Sequence, residues 1–216
     1  MTDQRTYGGR SAQQRRLDRR ARLIGAALEA MAGNDWRTVT VDKLCAAAGL
    51  NKRYFYENFT DLDSLAAAVV DDIADEVRTA ALTAAAETAA ESLERQAEAA
   101  VGAVVRTVVS DPRRARVIFG AVPSSAALHQ HRVSVMRGLT RVLVSRARAV
   151  HGVALEKDPL AQLAPAFIVG GTADAILAFV DGRAQVSLDE LIATLTTLWM
   201  LTGDGAAEVA RTRLGH

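Results

Sequence analysis

The sequence predicts an all-α protein, on three observations. Half of the 216 residues are hydrophobic, yet aromatics make up only 5% and there are only 4 prolines, a composition poor in helix breakers and in the residues that favour strands. Apolar residues recur at three- and four-residue spacing through most of the chain, as in Leu65, Val69, Ile73 and Val77, which places them on one helical face. Capping residues and Gly or Pro stops then divide the chain into about nine helical stretches. These group as a basic tail over 1–12, a three-helix domain over 13–60 and a larger helical body over 61–216, with a fourth helix over 61–86 joining the two.

Charge is unevenly shared. The net charge is +1, but residues 1–60 carry +5 and the remainder −4, as suits a polyanion-binding module attached to a body with another task. The single cysteine, Cys45, rules out an intrachain disulfide and suits a reducing compartment. The polar, basic N-terminus does not read as a secretory signal. The apolar run from Pro159 to Val180 is long enough to consider as a membrane span. It contains Gln162, Pro165 and Asp174, and is read instead as a buried helix. A cytoplasmic protein without a membrane partner is expected.

The first helix is predicted from Gln13 to Gly33, with Leu17, Ala21, Ile24, Ala27, Leu28 and Met31 inward. Arg15, Arg16, Arg19, Arg20 and Arg22 crowd its first half, and such a cluster beside a DNA-reading unit points to phosphate contacts. Trp36 is expected to fill the small core. Thr40 is the expected N-cap of the second helix, with Thr38 the other candidate. Val41, Leu44, Cys45 and Ala48 form that helix's apolar face, Gly49 supplies a left-handed stop, and Asn51 caps a third helix whose first turns carry Lys52, Arg53, Tyr54 and Tyr56. A short helix, a glycine turn and a second helix with a basic, aromatic leading turn form a DNA-reading helix-turn-helix. Thr60 is the expected cap of the fourth helix, which runs to about Ala86.

Residues from about 14 to 80 resemble the TetR family of bacterial transcriptional regulators. The resemblance rests on the run Thr40 to Lys52, on Phe55-Tyr56-Glu57-Asn58-Phe59 and on Leu62-Asp63-Ser64-Leu65. It implies an all-α homodimer with three DNA-binding helices and a larger ligand-binding and dimerisation domain. It also implies that Tyr56 bonds the DNA backbone. Two positions depart from the family pattern. Tyr54 replaces a small residue, and Leu62 replaces a lysine that grips phosphate.

In the body, helices are predicted over Glu87–Val109, Arg113–Ala121, Ser125–His151 and Asp158–Gly182, with a ninth beginning after Ser187. Ser110-Asp111-Pro112 stops the fifth, and Val122-Pro123-Ser124 breaks the sixth. Ser187 and Glu190 form a capping box. Ala166, Gly170, Ala173 and Leu177 share a face of the eighth helix, and Leu191, Leu195 and Trp199 belong to the apolar seam of the ninth. Pattern alone leaves open whether these faces pack within the chain. The resemblance assigns them to a dimer of two helices from each chain.

Thr40, Lys43, Asn51, Lys52, Arg53, Tyr54 and Tyr56 are the candidate DNA-binding residues. Lys52 and Arg53 are the candidates for base-edge or phosphate hydrogen bonds. Phe119, His129, Met136, Phe167 and Asp174 are candidate walls of an effector cavity among helices five to eight. Asp174 has two readings, as a paired core carboxylate near the dimer axis or as a cavity group that binds a cationic ligand group, with the first preferred. No phosphate loop, paired-cysteine zinc spacing or nucleophile elbow is present in the sequence, so no enzyme, no metal and no cofactor are expected. His129 and His131 point apart on a helix, and Cys45 is read as structural. The function expected is a dimeric repressor on a palindromic double-stranded operator, released by a small lipophilic effector. The alternative is a DNA-binding regulator with no effector.

Overall fold

The computed structural model describes residues 11–33, 36–120, 125–151 and 157–215. Residues 1–10 of the expected tail, the break at Asn34-Asp35, the end of helix six with its Val122-Pro123-Ser124 stop, and most of the loop after helix seven lie outside the described residues; Ser11 and Ala12, expected in the tail, cap and begin the first helix. So does the side chain of Leu143. Among the described residues there are nine α-helices, one short 3-10 turn and no strand.

The helices are α1 (Ala12–Ala32), α2 (Val41–Ala47), α3 (Lys52–Tyr56), α4 (Leu62–Glu87), α5 (Leu93–Val109), α6 (Pro112–Phe119), α7 (Ala126–His151), α8 (Pro159–Val180) and α9 (Leu188–Leu214). The 3-10 turn Trp36–Thr38 links α1 to α2. Local chemistry sets most boundaries. Thr40 accepts the Lys43 amide, Asn51 accepts the Tyr54 amide, and Ser187 and Glu190 form the expected capping box. Gly49 has φ +60, the left-handed geometry that ends α2.

Two starts differ from expectation. The cap of α4 is Asp61, not Thr60: its carboxylate accepts the Ser64 amide while Ser64 Oγ accepts the Asp61 amide. A charged acceptor at the positive helix end outcompetes the neighbouring hydroxyl. The fifth helix starts at Leu93 rather than Glu87. Glu87 belongs to the last turn of α4, and Ser92 caps α5 by accepting the Arg95 amide. Leu93, at the first position of the helix, is exposed.

One continuous core runs through both parts of the chain. Leu23, Ala27 and Met31 of α1 meet Trp36, Leu44, Cys45, Phe55 and Phe59, all buried. Burying a side chain such as Phe55 contributes about 1.5–3 kcal/mol. Leu65, Val69, Val70, Ile73 and Val77 carry the core along α4 to Val101, Val105 and Val108 of α5 and onward to Leu191, Ile192 and Leu195 of α9. The junction is therefore a packed helix and not a linker.

By length and composition, α8 is the one described helix able to cross a membrane; 33% of its most apolar window is buried. It packs on α6, α7 and α9. An exposed flank of Leu163, Ala166, Phe167, Gly170 and Asp174 continues onto Leu198 and Leu201 of α9.

Candidate DNA-reading face and effector cavity

The exposed side of α2 and α3 carries the candidate reading residues. Thr40, Lys43, Asn51, Lys52, Arg53 and Tyr56 are exposed, and Tyr54 is half-buried. Several are already tethered. Lys52 Nζ sits 2.9 Å from Asp42, and this hydrogen bond holds the lysine pKa above its ordinary value. Arg53 is 83% exposed and pairs with Glu57 at 3.0 Å along the helix. Lys43 Nζ donates to the Thr38 carbonyl at 3.1 Å. Tyr56 is 60% exposed and stands edge-on to buried Phe55, ring centroids 5.3 Å apart. Such exposed pairs are weakened by solvent screening, so a phosphate or base edge can displace them.

Four of the five α1 arginines also reach back onto the reading unit. Arg16 Nη2 donates to the Glu57 carbonyl at 3.1 Å, at the C-terminal end of α3. Arg22 Nη2 donates to the Gly49 carbonyl at 3.1 Å, at the turn between α2 and α3. Arg19 lies over the Tyr54 ring at 4.3 Å and reaches Glu57 at 3.7 Å. Arg20 lies 5.1 Å from the Phe59 ring centroid. A cation against terminal carbonyls complements the negative end of a helix. These four arginines hold the reading unit onto α1. Sequence spacing showed the cluster but not its direction.

Cys45 is buried behind the turn, and burial, with the nearby Asp42 carboxylate, pushes its thiol pKa up. That is the signature of an inert thiol.

A cavity of about 640 Å³ lies among α4, α5, α7, α8 and α9, within the range of small-molecule sites. Its walls are largely alanine and branched aliphatics, including Ala81, Ala85, Ala97, Ala100, Ala161 and Ala164. Phe119, Ala173 and Trp199 line it, and Trp199 Nε1 donates to Thr172 Oγ1 at 2.7 Å. Of the five expected walls, the structure places only Phe119 there. His129 is exposed near the start of α7, Met136 is half-buried outside the cavity, and Phe167 and Asp174 face away from it on the exposed flank of α8. Small residues opened space where sequence reasoning looked for large ones.

The expected dimer residues also divide. Ala166 and Gly170 are exposed. Leu177 packs half-buried against the core, Leu191 and Leu195 are buried in it, and Trp199 and Ala173 face the cavity. No cluster of three or more potential metal ligands occurs among the described residues.

Short α6 lies between the two regions. Arg113 reaches Glu29 of α1 at 2.6 Å, Arg114 reaches Glu76 of α4 at 2.6 Å, and Arg116 reaches Asp181 at 3.4 Å. Arg132 of α7 donates to the carbonyls of Ile118 and Gly120 at its end. Asp111 caps α6 and chelates Arg113, which holds the Asp111 carboxyl below the usual carboxylate range. Together these contacts tie α6 to α1, α4, α7 and the end of α8.

No family model matches the chain, and no curated protein matches it. Solved structures do. A protein from Syntrophomonas wolfei, assigned as a TetR-family transcriptional regulator, superposes with a TM-score of 0.72 at 12% identity, over 88% of this chain and 96% of that one. A protein from Pseudomonas aeruginosa PAO1, assigned as a transcriptional regulator, gives 0.68 at 22% identity over 98% and 99%. The transcriptional regulator FadR from Bacillus subtilis, solved in complex with stearoyl-CoA, gives 0.64 at 17% identity over 86% and 98%. In helix order, reading unit and cavity-bearing body, this chain has the fold of the TetR-family transcriptional regulators.

Proposed function

We propose that the protein is a ligand-responsive, sequence-specific transcriptional repressor that binds a palindromic operator as a homodimer. The observation that carries this reading is the joining of two sites by α4: an exposed helix-turn-helix at its start and a cavity of about 640 Å³ along its second half. Thr40, Lys43, Asn51, Lys52, Arg53, Tyr54 and Tyr56 are the residues assigned to DNA. Dimerisation is assigned to the exposed flank of Leu163, Ala166, Phe167, Gly170, Leu198 and Leu201, whose small residues allow close helix approach. Two reading helices would then sit about 34–36 Å apart, one DNA turn, or a multiple of it.

An effector in the cavity would act on Val77, Arg78 and Ala81 of α4 and on Phe119 of α6, which line it. The ionic arms from α6 to Glu76 and Glu29 give a displacement a route to the reading unit. The effector shifts the equilibrium only if it binds the DNA-free state more tightly. The cavity favours this reading over an effector-free regulator. Selection of bound duplexes from a random DNA pool, followed by release from the selected operator with a lipophilic compound library, tests it. Failure to enrich any sequence refutes sequence-specific binding. Enrichment without release by any compound leaves the effector-free alternative.

A further inference from the structure

We infer that the effector is an anionic amphiphile, one long hydrocarbon chain with a carboxylate or phosphate head, taken tail-first with its head held between Arg78 and Arg148. The inference rests on the effector reading above and adds the ligand class to it.

The inner walls, among them Val104, Phe119, Leu139 and Ile168, are apolar. Two polar groups of the lining, Thr172 and Trp199, are hydrogen-bonded to each other. A polar ligand atom placed among these walls would lose its water partners and gain none in exchange. The inner occupant is therefore hydrocarbon.

The outer rim is different. Leu82 and Leu93 line the cavity and are 53% and 47% exposed, which marks its mouth. Among the described residues, the charged groups lining the cavity are Arg78 on α4, Arg148 on α7 and Asp204 on α9. Two cations against one carboxylate favour a negative head. Arg78 is half-exposed and pairs with Asp75 through one nitrogen, at 2.9 Å. A guanidinium carries five N–H donors in a fork that matches carboxylate and phosphate oxygens, and an exposed pair of this kind yields at little cost. Arg148 already has a contact within the protein, so its role is to add an attractive charge from α7. Arg78 sits on the helix that leads to the reading unit, two residues from Glu76 and its arm to Arg114. A head drawn to Arg78 therefore loads α4 directly.

The test uses the full chain and four ligands with the same tail: hexadecanoate, hexadecyl phosphate, hexadecanol and hexadecyltrimethylammonium, all below their micellar concentrations. Calorimetry reads affinity, and the fluorescence of Trp199 reports occupation of the cavity. The two anions are expected to bind about tenfold or more tighter than the alcohol and the cation, as loss of a charged hydrogen bond predicts. Arg78→Gln with Arg148→Gln should erase that preference and leave alcohol binding unchanged. Binding of hexadecanoate alone would identify a carboxylate head, and of hexadecyl phosphate alone a phosphate head. Equal affinity for the alcohol or the cation would overturn the anionic head while the effector cavity stood. Failure of all four to bind would remove the inference, and release of the operator by an unrelated compound would show that the effector reading survives it.

Discussion

The guanidinium of Arg19 lies over the face of Tyr54, its central carbon 4.3 Å from the ring centroid. The first helix thus holds the recognition helix by the residue at which this sequence departs from the TetR pattern. Its Nε is buried without a hydrogen-bond partner, so the contact is a stacked cation and not a fully bonded one. Arg19→Ala should weaken operator binding by loosening α3, yet leave the salt dependence of binding unchanged. A phosphate contact would instead reduce the salt slope by about 1. Fluorescence anisotropy on a labelled operator across a salt series separates the two.

Gly49→Ala should destabilise the reading unit. Its φ of +60 is unfavourable for an L side chain, and an added Cβ would meet Arg22 Nη2 at 2.6 Å. The backbone cost alone is about 1–2 kcal/mol. Urea unfolding should register it, and Gly49→Asn should cost less because asparagine tolerates the left-handed region.

Gly170→Leu isolates assembly from folding. A Cβ at Gly170 meets nothing within 4 Å in the chain, so the monomer should fold unchanged. Sedimentation should nevertheless show loss of the dimer, and Phe167→Glu, at a ring 71% exposed, should do the same. A dimer surviving both substitutions would exclude this flank as the interface.

Asp111 gives a pH dependence. Its pKa is lowered by the hydrogen bonds from Arg113, so its stabilisation is fully present above the unfolded carboxylate value of about 3.9. It is lost as pH falls through the lowered folded value. Asp111→Ala should cost about 0.5–2 kcal/mol at neutral pH, the usual worth of an N-cap. Asp111→Asn keeps the cap and removes only the charge, so it should cost less. The denaturation midpoint of Asp111→Asn should converge on the parent protein as the solution is acidified, while that of Asp111→Ala should stay below it, because a protonated carboxyl still caps the helix.

Much of the fold was legible because helix periodicity and capping are local. Ser187 with Glu190, Asn51 and Gly49 act in the structure as their spacing implies. The start of α4 was misread by one residue because Thr60 and Asp61 both make good caps, and only the position of Ser64 decides between them. The third helix was legible for the same reason: Lys52 to Tyr56 form a single turn and a half, capped by Asn51. The cavity was not. Apolar spacing shows that Ala97, Ala100 and Ala164 face inward, but not that opposing walls are too small to meet. Leu191 and Leu195 were likewise right in being apolar, and packing partners from α5 decided that they serve this chain's own core.

The ionic arm from Glu29 to Arg113 has a consequence for engineering. A reading unit grafted from this protein onto another regulatory body would bring α1 without the arginine that grips it. Such a chimera should bind the operator yet answer poorly to its new inducer, unless the recipient's sixth helix also receives Arg113 and Asp111. The unit of exchange is therefore a head together with its clasp.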